Sequence, residues 1–473
     1  MKTFSIDTLG CKVNQYESQQ IRELLEQLGL VQVAPAPIIG EPKGHRRRAK
    51  KPDLVVINTC CVTLSASAKS RQYIHRAQKL NPDAVIVVSG CLPTVQIGEL
   101  NNPGKNVYLI EHRHKLAAAL GQIASGKAGI SSSQGLQDCR KKAVKTANKP
   151  KINGESKLSS WAELPQLTSF KGQTRAFLKV QDGCDGHCSY CIIPKTRPYV
   201  HSRPAELVLE EAQRLVEAGH KEIVVTGVFL GAYGQKTVRR KNWAGRQNDK
   251  LAVLLEKLAE IPNLARIRLS SLEPADVTPR LLDTFCKHRN IVPHLHLSLQ
   301  SGSDAVLKKM CRQYGAEEFR DTVELIKSRL DRAAISTDII VGFPGETDSD
   351  FQATAELAKE VGFAKMHVFR FSKRAGTAAA GFQGAIDNRV MKRRSQILRE
   401  LDAELGFRFR QQFVGERAAV LVEKSDGGQA WGRSERYFMV RIEKAGPSCG
   451  KNELVNVELV ENTEDGLVGR TES

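Results

Sequence analysis

The run Cys184-Asp-Gly-His-Cys188-Ser-Tyr-Cys191 places three thiols within eight residues. Three thiolates hold three irons of a four-iron, four-sulfur cluster and leave the fourth without a protein ligand. An open metal position binds a small molecule, whereas a cluster with four cysteines mainly carries electrons. The spacing therefore points to chemistry. The alternative is zinc, which usually takes four ligands and would need His187 as the local fourth.

A second set is dispersed. Leu9-Gly10-Cys11, Asn58-Thr59-Cys60 and Ser89-Gly90-Cys91 each follow a stretch with strand pattern. In a parallel sheet such strand ends lie along one edge, where ligands of open α/β folds bind, so the three thiols can converge. A single buried cysteine reads as core; three in one structural setting predict a second cluster. Cys60 is chosen over the adjacent Cys61 because it shares the strand-end register. Cys139, Cys286, Cys311 and Cys449 have no such setting and read as structural.

The elements that must position these thiols are α/β throughout. Strand patterns at Thr3 to Asp7, Leu54 to Ile57 and Ala84 to Val88 alternate with a helix carrying Ile21, Leu24, Leu25 and Leu28 and stopped by Gly29, giving an N-terminal parallel-sheet domain over 1–123. Residues 124–173, rich in Ser, Lys, Gly and Gln, read as a linker or insertion. Over 174–411, six strands (Phe177 to Val180, Glu222 to Val225, Arg266 to Leu269, Leu295 to Leu299, Ile335 to Val341, Met366 to Phe371) alternate with helical patterns. This predicts a partial (β/α)6 barrel whose site lies at the strand C-terminal ends, just where the cysteine run begins. From 412 to 473, short strands at Ala418 to Val422, Tyr437 to Arg441 and Leu454 to Leu459 predict a small β-barrel.

The 473 residues carry 71 Lys plus Arg against 52 Asp plus Glu, a net charge of +19 with pI near 9.5. Such a balance points to a polyanionic partner, nucleic acid first, with a merely basic surface as the plain alternative. The C-terminal barrel offers Lys424, Arg433, Arg436 and Arg441 beside Trp431 and Tyr437, a set suited to phosphate contact and base stacking, although core packing also explains both aromatics. The basic run around Arg46 to Arg48 reads as a solvated loop that could touch RNA. Eleven cysteines, an odd number, exclude a secreted disulfide scaffold and suit a reducing compartment. No apolar run approaches a membrane span. The expectation is a monomeric cytoplasmic protein without membrane association.

The motifs TLGCKVNQYES, NTCCVT, SGC, VQDGCDGHCSYCIIP, RIRLSSLEP, HLHLSLQSGSD and DIIVGFPGET, together with the C-terminal stretch, resemble the radical S-adenosylmethionine methylthiotransferase family. The opening motif is most similar to its threonylcarbamoyladenosine (t6A) branch. The resemblance implies that Cys184, Cys188 and Cys191 hold the cluster that binds S-adenosylmethionine and cleaves it to a 5′-deoxyadenosyl radical. Cys11, Cys60 and Cys91 would hold an auxiliary 4Fe-4S cluster that supplies or carries sulfur, and a second S-adenosylmethionine would donate methyl. Tyr190, Thr226, Gly227, Gly342 and Gly345 match positions beside the cofactor, and the C-terminal domain resembles TRAM. The implied partners are a tRNA anticodon stem-loop and an electron donor such as flavodoxin or ferredoxin. The isopentenyladenosine and ribosomal-protein branches remain alternatives, as does a non-catalytic RNA-binding redox sensor. Arg197-Pro198, Phe229 and Arg370 depart from common family residues.

Overall fold

Strand Leu54–Thr59 is buried at every position, as the centre of a sheet covered on both faces requires. It is β3 of a five-stranded parallel sheet with β1 (Thr3–Thr8), β2 (Val31–Gln32), β4 (Val85–Gly90) and β5 (Val107–Leu109), in the order β2-β1-β3-β4-β5. This order places a topological switch point between β1 and β3, the position at whose strand C-terminal ends open α/β folds bind ligands. Helix α1 (Lys12–Gln27) buries Ile21 and Leu25 against the sheet, and Gly29, at φ +82, supplies the left-handed residue that ends it. The computed structural model describes residues 1–34, 51–95, 104, 106–126, 164–245 and 248–471. The loop at Arg46 to Arg48, Cys139 and most of segment 124–173 lie outside them.

The chain divides into two units, Met1–Leu167 and Thr168–Ser473. In the second, the six expected strands form and run parallel: β6 (Arg175–Asp182), β8 (Glu222–Gly227), β9 (Arg266–Leu269), β11 (His294–Leu297), β12 (Ala334–Val341) and β13 (Lys365–Arg370). Two strands of two residues each join them: β7 (His201–Ser202), antiparallel at the β6 edge, and β10 (Ser271–Leu272), beside β11. The hydrogen-bonded sheets β7-β6-β8-β9 and β10-β11-β12-β13 are linked by a parallel bridge between Ile267 and Ile291. The result is an open, partial barrel.

The C-terminal residues close a true barrel, β14-β15-β16-β18-β17, from β14 (Arg417–Asp426), β15 (Gln429–Ser434), β16 (Met439–Glu443), β17 (Leu454–Asn462) and β18 (Leu467–Thr471). Val420, Val422, Val440, Ile442, Val457 and Leu459 fill it. The expected strand at Tyr437 begins two residues later, because Tyr437 sits at φ +73, outside the strand region.

This barrel packs on the N-terminal ends of the six-strand unit, the ends opposite the cysteine loop. There Arg268 is fully buried, paired with Glu222 at 2.8 Å, and donates to the Glu435 carbonyl at 2.9 Å. Arg266 reaches the Arg433 carbonyl at 3.0 Å and Glu222 at 3.5 Å. Burial alone would raise the pKa of Glu222, yet Arg268, Arg266 and Arg175 hold it below the ordinary carboxylate value. Its contribution is therefore complete at neutral pH and is lost only as pH falls below that value. Glu222→Ala takes the paired carboxylate from buried Arg268, leaves Arg266 with Glu435 at 3.8 Å, and is predicted to cost about 3–5 kcal/mol. Urea denaturation checks this; a loss under 1 kcal/mol contradicts it.

Candidate cluster and cofactor site

The loop after β6 is fixed before the first thiol is reached. Gly183 takes φ +79, and a Cβ there would lie 1.7 Å from the Tyr199 carbonyl oxygen, so only glycine fits. Asp182 receives Arg197 at 2.8 and 2.9 Å and Lys179 at 3.0 Å, and Cys184 N–H donates to the Arg197 carbonyl at 2.8 Å. Arg197 is thus a clamp on the loop, and the departure from the common Arg-Gly pair is Pro198 beside it. Asp185 accepts from the Val238 amide and the Thr237 hydroxyl, while Ser189 is tied to the carbonyls of Lys309 and Met310.

Held this way, Cys184, Cys188 and Cys191 line one side of a cavity of about 300 Å³. Val228, Phe229, Leu230 and Leu272 supply an apolar wall, and Glu273, Asp276 and Arg312 a polar one. Arg312 donates to the Cys188 sulfur at 3.1 Å and to the Tyr190 hydroxyl at 3.4 Å, and pairs with Glu273 at 2.5 Å. Arg240 bridges Glu273 at 3.1 Å and Asp276 at 2.8 Å. Glu273 therefore fixes two guanidinium groups, of which Arg312 is on the cavity wall. The Gly186 amide donates to the Cys184 sulfur at 3.4 Å. Donors aimed at sulfur stabilise thiolate and tune a cluster.

The first unit brings its dispersed thiols together. Cys11 precedes α1, Cys60 follows β3 and Cys91 follows β4. A Cβ on Gly10 would meet the Cys60 Cβ at 2.8 Å, and one on Gly90 the Thr59 carbonyl at 2.3 Å, so both glycines allow the loops to close on one another. Asn14 donates to the Leu9 and Thr59 carbonyls at 2.8 and 2.9 Å, tying the β1 and β3 ends. Arg113 donates to the Cys91 sulfur at 3.4 Å. Cys61 turns aside, its thiol on the Cys91 carbonyl at 3.3 Å.

Burial pushes the Cys184 thiol up to about 12 and the Cys60 thiol up to about 11, with the other thiols of each triad adding to the shift. Each keeps its proton at neutral pH until a metal displaces it. Among the described residues, neither triad brings all three sulfurs within 4.8 Å of one another. Ligands of one tetrahedral zinc, at about 2.3 Å from the metal, would stand about 3.8 Å apart. His187, the local fourth ligand that zinc would need, is exposed.

Residues 178–358 match the Radical SAM superfamily, and residues 3–110 match the family described as Uncharacterized protein family UPF0004. The chain is 36% identical over 472 residues to the threonylcarbamoyladenosine tRNA methylthiotransferase MtaB of Chlamydia pneumoniae, covering 99% of this chain and 97% of that one. With the protein of the same name from Thermotoga maritima it shares 34% over 473 residues, covering 99% and 96%. The tRNA-2-methylthio-N(6)-dimethylallyladenosine synthase of Pelotomaculum thermopropionicum is 31% identical over 431 residues, covering 89% and 87%. The chain belongs to the radical S-adenosylmethionine methylthiotransferase family. The solved radical S-adenosylmethionine methyltransferase TsrM of Kitasatospora setae shares the fold, with a TM-score of 0.57 at 14% identity over 90% of this chain and 78% of that one.

Within this methylthiotransferase fold the other expected positions divide. Tyr190 lines the cavity. Thr226 and Gly227 end β8, immediately before the lining residues Val228 to Leu230. Gly342 and Gly345 are not among the lining residues; both have left-handed backbone, and a Cβ on Gly342 would meet Met391 at 2.2 Å. These glycines shape the turn after β12. Cys449 is buried in the C-terminal barrel, as a structural cysteine should be, but Cys311 is exposed on the cavity wall, so its structural reading is corrected. Cys286 is also exposed.

The basic and aromatic residues of the barrel separate too. Tyr437 has Arg268 and Arg433 at 4.8 and 4.5 Å from its ring, and its hydroxyl accepts from Arg175 at 3.0 Å. Arg436 donates to the Arg332 carbonyl at 3.0 Å and pairs with Asp331. These three residues serve the junction with the six-strand unit. Lys424, over the Trp431 ring at 5.1 Å, and Arg441, opposite Trp431 in register, remain together on the outer barrel surface. Glu273, Arg312, Arg240, Asn14 and Arg113 were not singled out from sequence, although SSLEP and TLGCKVNQYES contain two of them.

Anaerobic reconstitution is predicted to give about eight iron per chain, and about half of that when Cys184, Cys188 and Cys191 are replaced by Ala. Iron and sulfide analysis reads this; stoichiometric zinc in place of iron contradicts it.

Proposed function

We propose that this chain places a methylthio group on C2 of N6-threonylcarbamoyladenosine beside the tRNA anticodon. The supporting observation is end-to-end identity, 34–36%, with three relatives named for that substrate, above the 31% shared with the dimethylallyladenosine enzyme. Cys184, Cys188 and Cys191 hold the radical cluster, and Cys11, Cys60 and Cys91 the auxiliary one. When bound, S-adenosylmethionine supplies a radical able to attack an unactivated C–H bond, and the methyl group, neither of which a side chain provides.

The chain's own residues bind, orient and exclude water. Arg312, held by Glu273, fixes the Cys188 side of the cavity, and Val228 to Leu230 keep the opposite wall dry. Tyr190 and the β8 end at Thr226 and Gly227 stand beside the cofactor. Arg113 steadies the Cys91 sulfur in the first unit. Lys424, Trp431 and Arg441 present a phosphate-binding and stacking surface to the anticodon stem-loop. A cytoplasmic electron donor of the flavodoxin or ferredoxin class reduces the clusters.

Nucleoside mass spectrometry on tRNA from cells lacking this chain, complemented with variants, tests the reading. The wild type restores 2-methylthio-N6-threonylcarbamoyladenosine; Cys60→Ala does not, yet still cleaves S-adenosylmethionine in vitro. Trp431→Ala weakens tRNA binding by about 1–3 kcal/mol without abolishing cofactor cleavage. Restoration of a methylthio isopentenyladenosine instead, or of a modified ribosomal protein, contradicts the substrate.

A further inference from the structure

Three adjacent strands of the six-strand unit carry a group that the cysteine chemistry does not use. His296 lies on β11, Asp338 on β12 and His367 on β13, with Asp338 and His367 directly opposite in register. Side chains alternate across a strand. Leu295, Leu297 and Ile339, the neighbours of these residues, are completely buried and point to the other face. His296, Asp338 and His367 therefore project to the concave face, the one on which Ile340 packs beside Tyr190 of the cysteine loop. One ligand atom from each of the three lies within 4.8 Å of the others. His296 Nε2 stands 3.4 Å from an Asp338 carboxylate oxygen.

The surroundings orient the first imidazole. His296 Nδ1 is 3.0 Å from the Ser336 hydroxyl, which is itself 3.2 Å from His294 Nε2. A hydrogen bond at Nδ1 fixes the ring and leaves the Nε2 lone pair directed at Asp338 and His367, the arrangement that metal-binding histidines adopt. His367 is exposed at the sheet edge, so an ion can enter from solvent and keep open positions. Two imidazoles and one carboxylate on one face, with the remaining positions free, suit a divalent first-row transition ion; magnesium and calcium prefer all-oxygen sets.

We infer that His296, Asp338 and His367 form a binding site for a divalent first-row transition metal ion, built from none of the cysteines. A simple histidine–aspartate ion pair needs only His296 and Asp338; the site needs His367 as well.

The experiment uses the anaerobically reconstituted full chain. Zinc is added, unbound metal is removed by gel filtration, and zinc, iron and sulfide are quantified in the same sample. About one zinc per chain is expected in addition to undiminished iron. His367→Ala, a change at an exposed position that leaves the core untouched, and Asp338→Asn should each abolish zinc retention with iron unchanged. Ser336→Ala should weaken zinc binding about 10–100-fold, as loss of an orienting partner does. No retained zinc in the wild type, retention at the wild-type level in His367→Ala, or zinc gained only as iron is lost would each overturn the site.

Discussion

Three sulfurs can share one cluster only when the backbone holds them at fixed separation and keeps them from pairing with each other. Both triads stand at the carboxyl ends of parallel strands. In the first unit the three thiols come from three different strand ends, and glycine at positions 10 and 90 lets the loops approach without a Cβ in the way. In the second, one loop supplies all three thiols, and its rigidity comes from the Asp182–Arg197 clamp and from the ties of Asp185 and Ser189 to neighbouring segments. One solution uses sheet topology, the other loop anchoring.

Charge burial is the second organising cost. Glu273 compensates Arg312, on the cavity wall, and Arg240, and Glu222 compensates Arg268 and Arg266 at the barrel junction. Removing one member of such a set leaves an unpaired charge in a poorly solvated place, which is far more costly than losing a surface pair. Many arginines behind the net charge of +19 are thus engaged inside the fold. The surface left for a nucleic acid is narrower than the charge count implies, and on the barrel it centres on Lys424, Trp431 and Arg441.

The six parallel strands, the helix-then-glycine stop at Gly29 and the strand-end setting of the cysteines were legible because each depends on local pattern: alternation, helical period, or a thiol at a strand end. Strands β15 and β18 were not, since QAWGRS and LVGRT carry a glycine where an alternating pattern would place a side chain. The roles of Glu273 and Arg312 were hidden because 39 positions separate them and isolated charges ordinarily read as solvated. Tyr437, Arg433 and Arg436 looked like a nucleic-acid surface because aromatic and guanidinium groups stack equally well on bases and on each other. Only the tertiary packing distinguishes the two uses.

In the proposed arrangement the two triads hold separate clusters and only the one on the Cys184 loop takes S-adenosylmethionine. Electron paramagnetic resonance of the reduced protein, recorded with and without S-adenosylmethionine in triple-alanine variants of each triad, tests it most directly. The variant lacking Cys11, Cys60 and Cys91 is expected to retain a signal that the cofactor shifts, while the variant lacking Cys184, Cys188 and Cys191 retains one that the cofactor leaves unchanged. A cofactor-induced shift in the second variant, or its absence in the first, would contradict it.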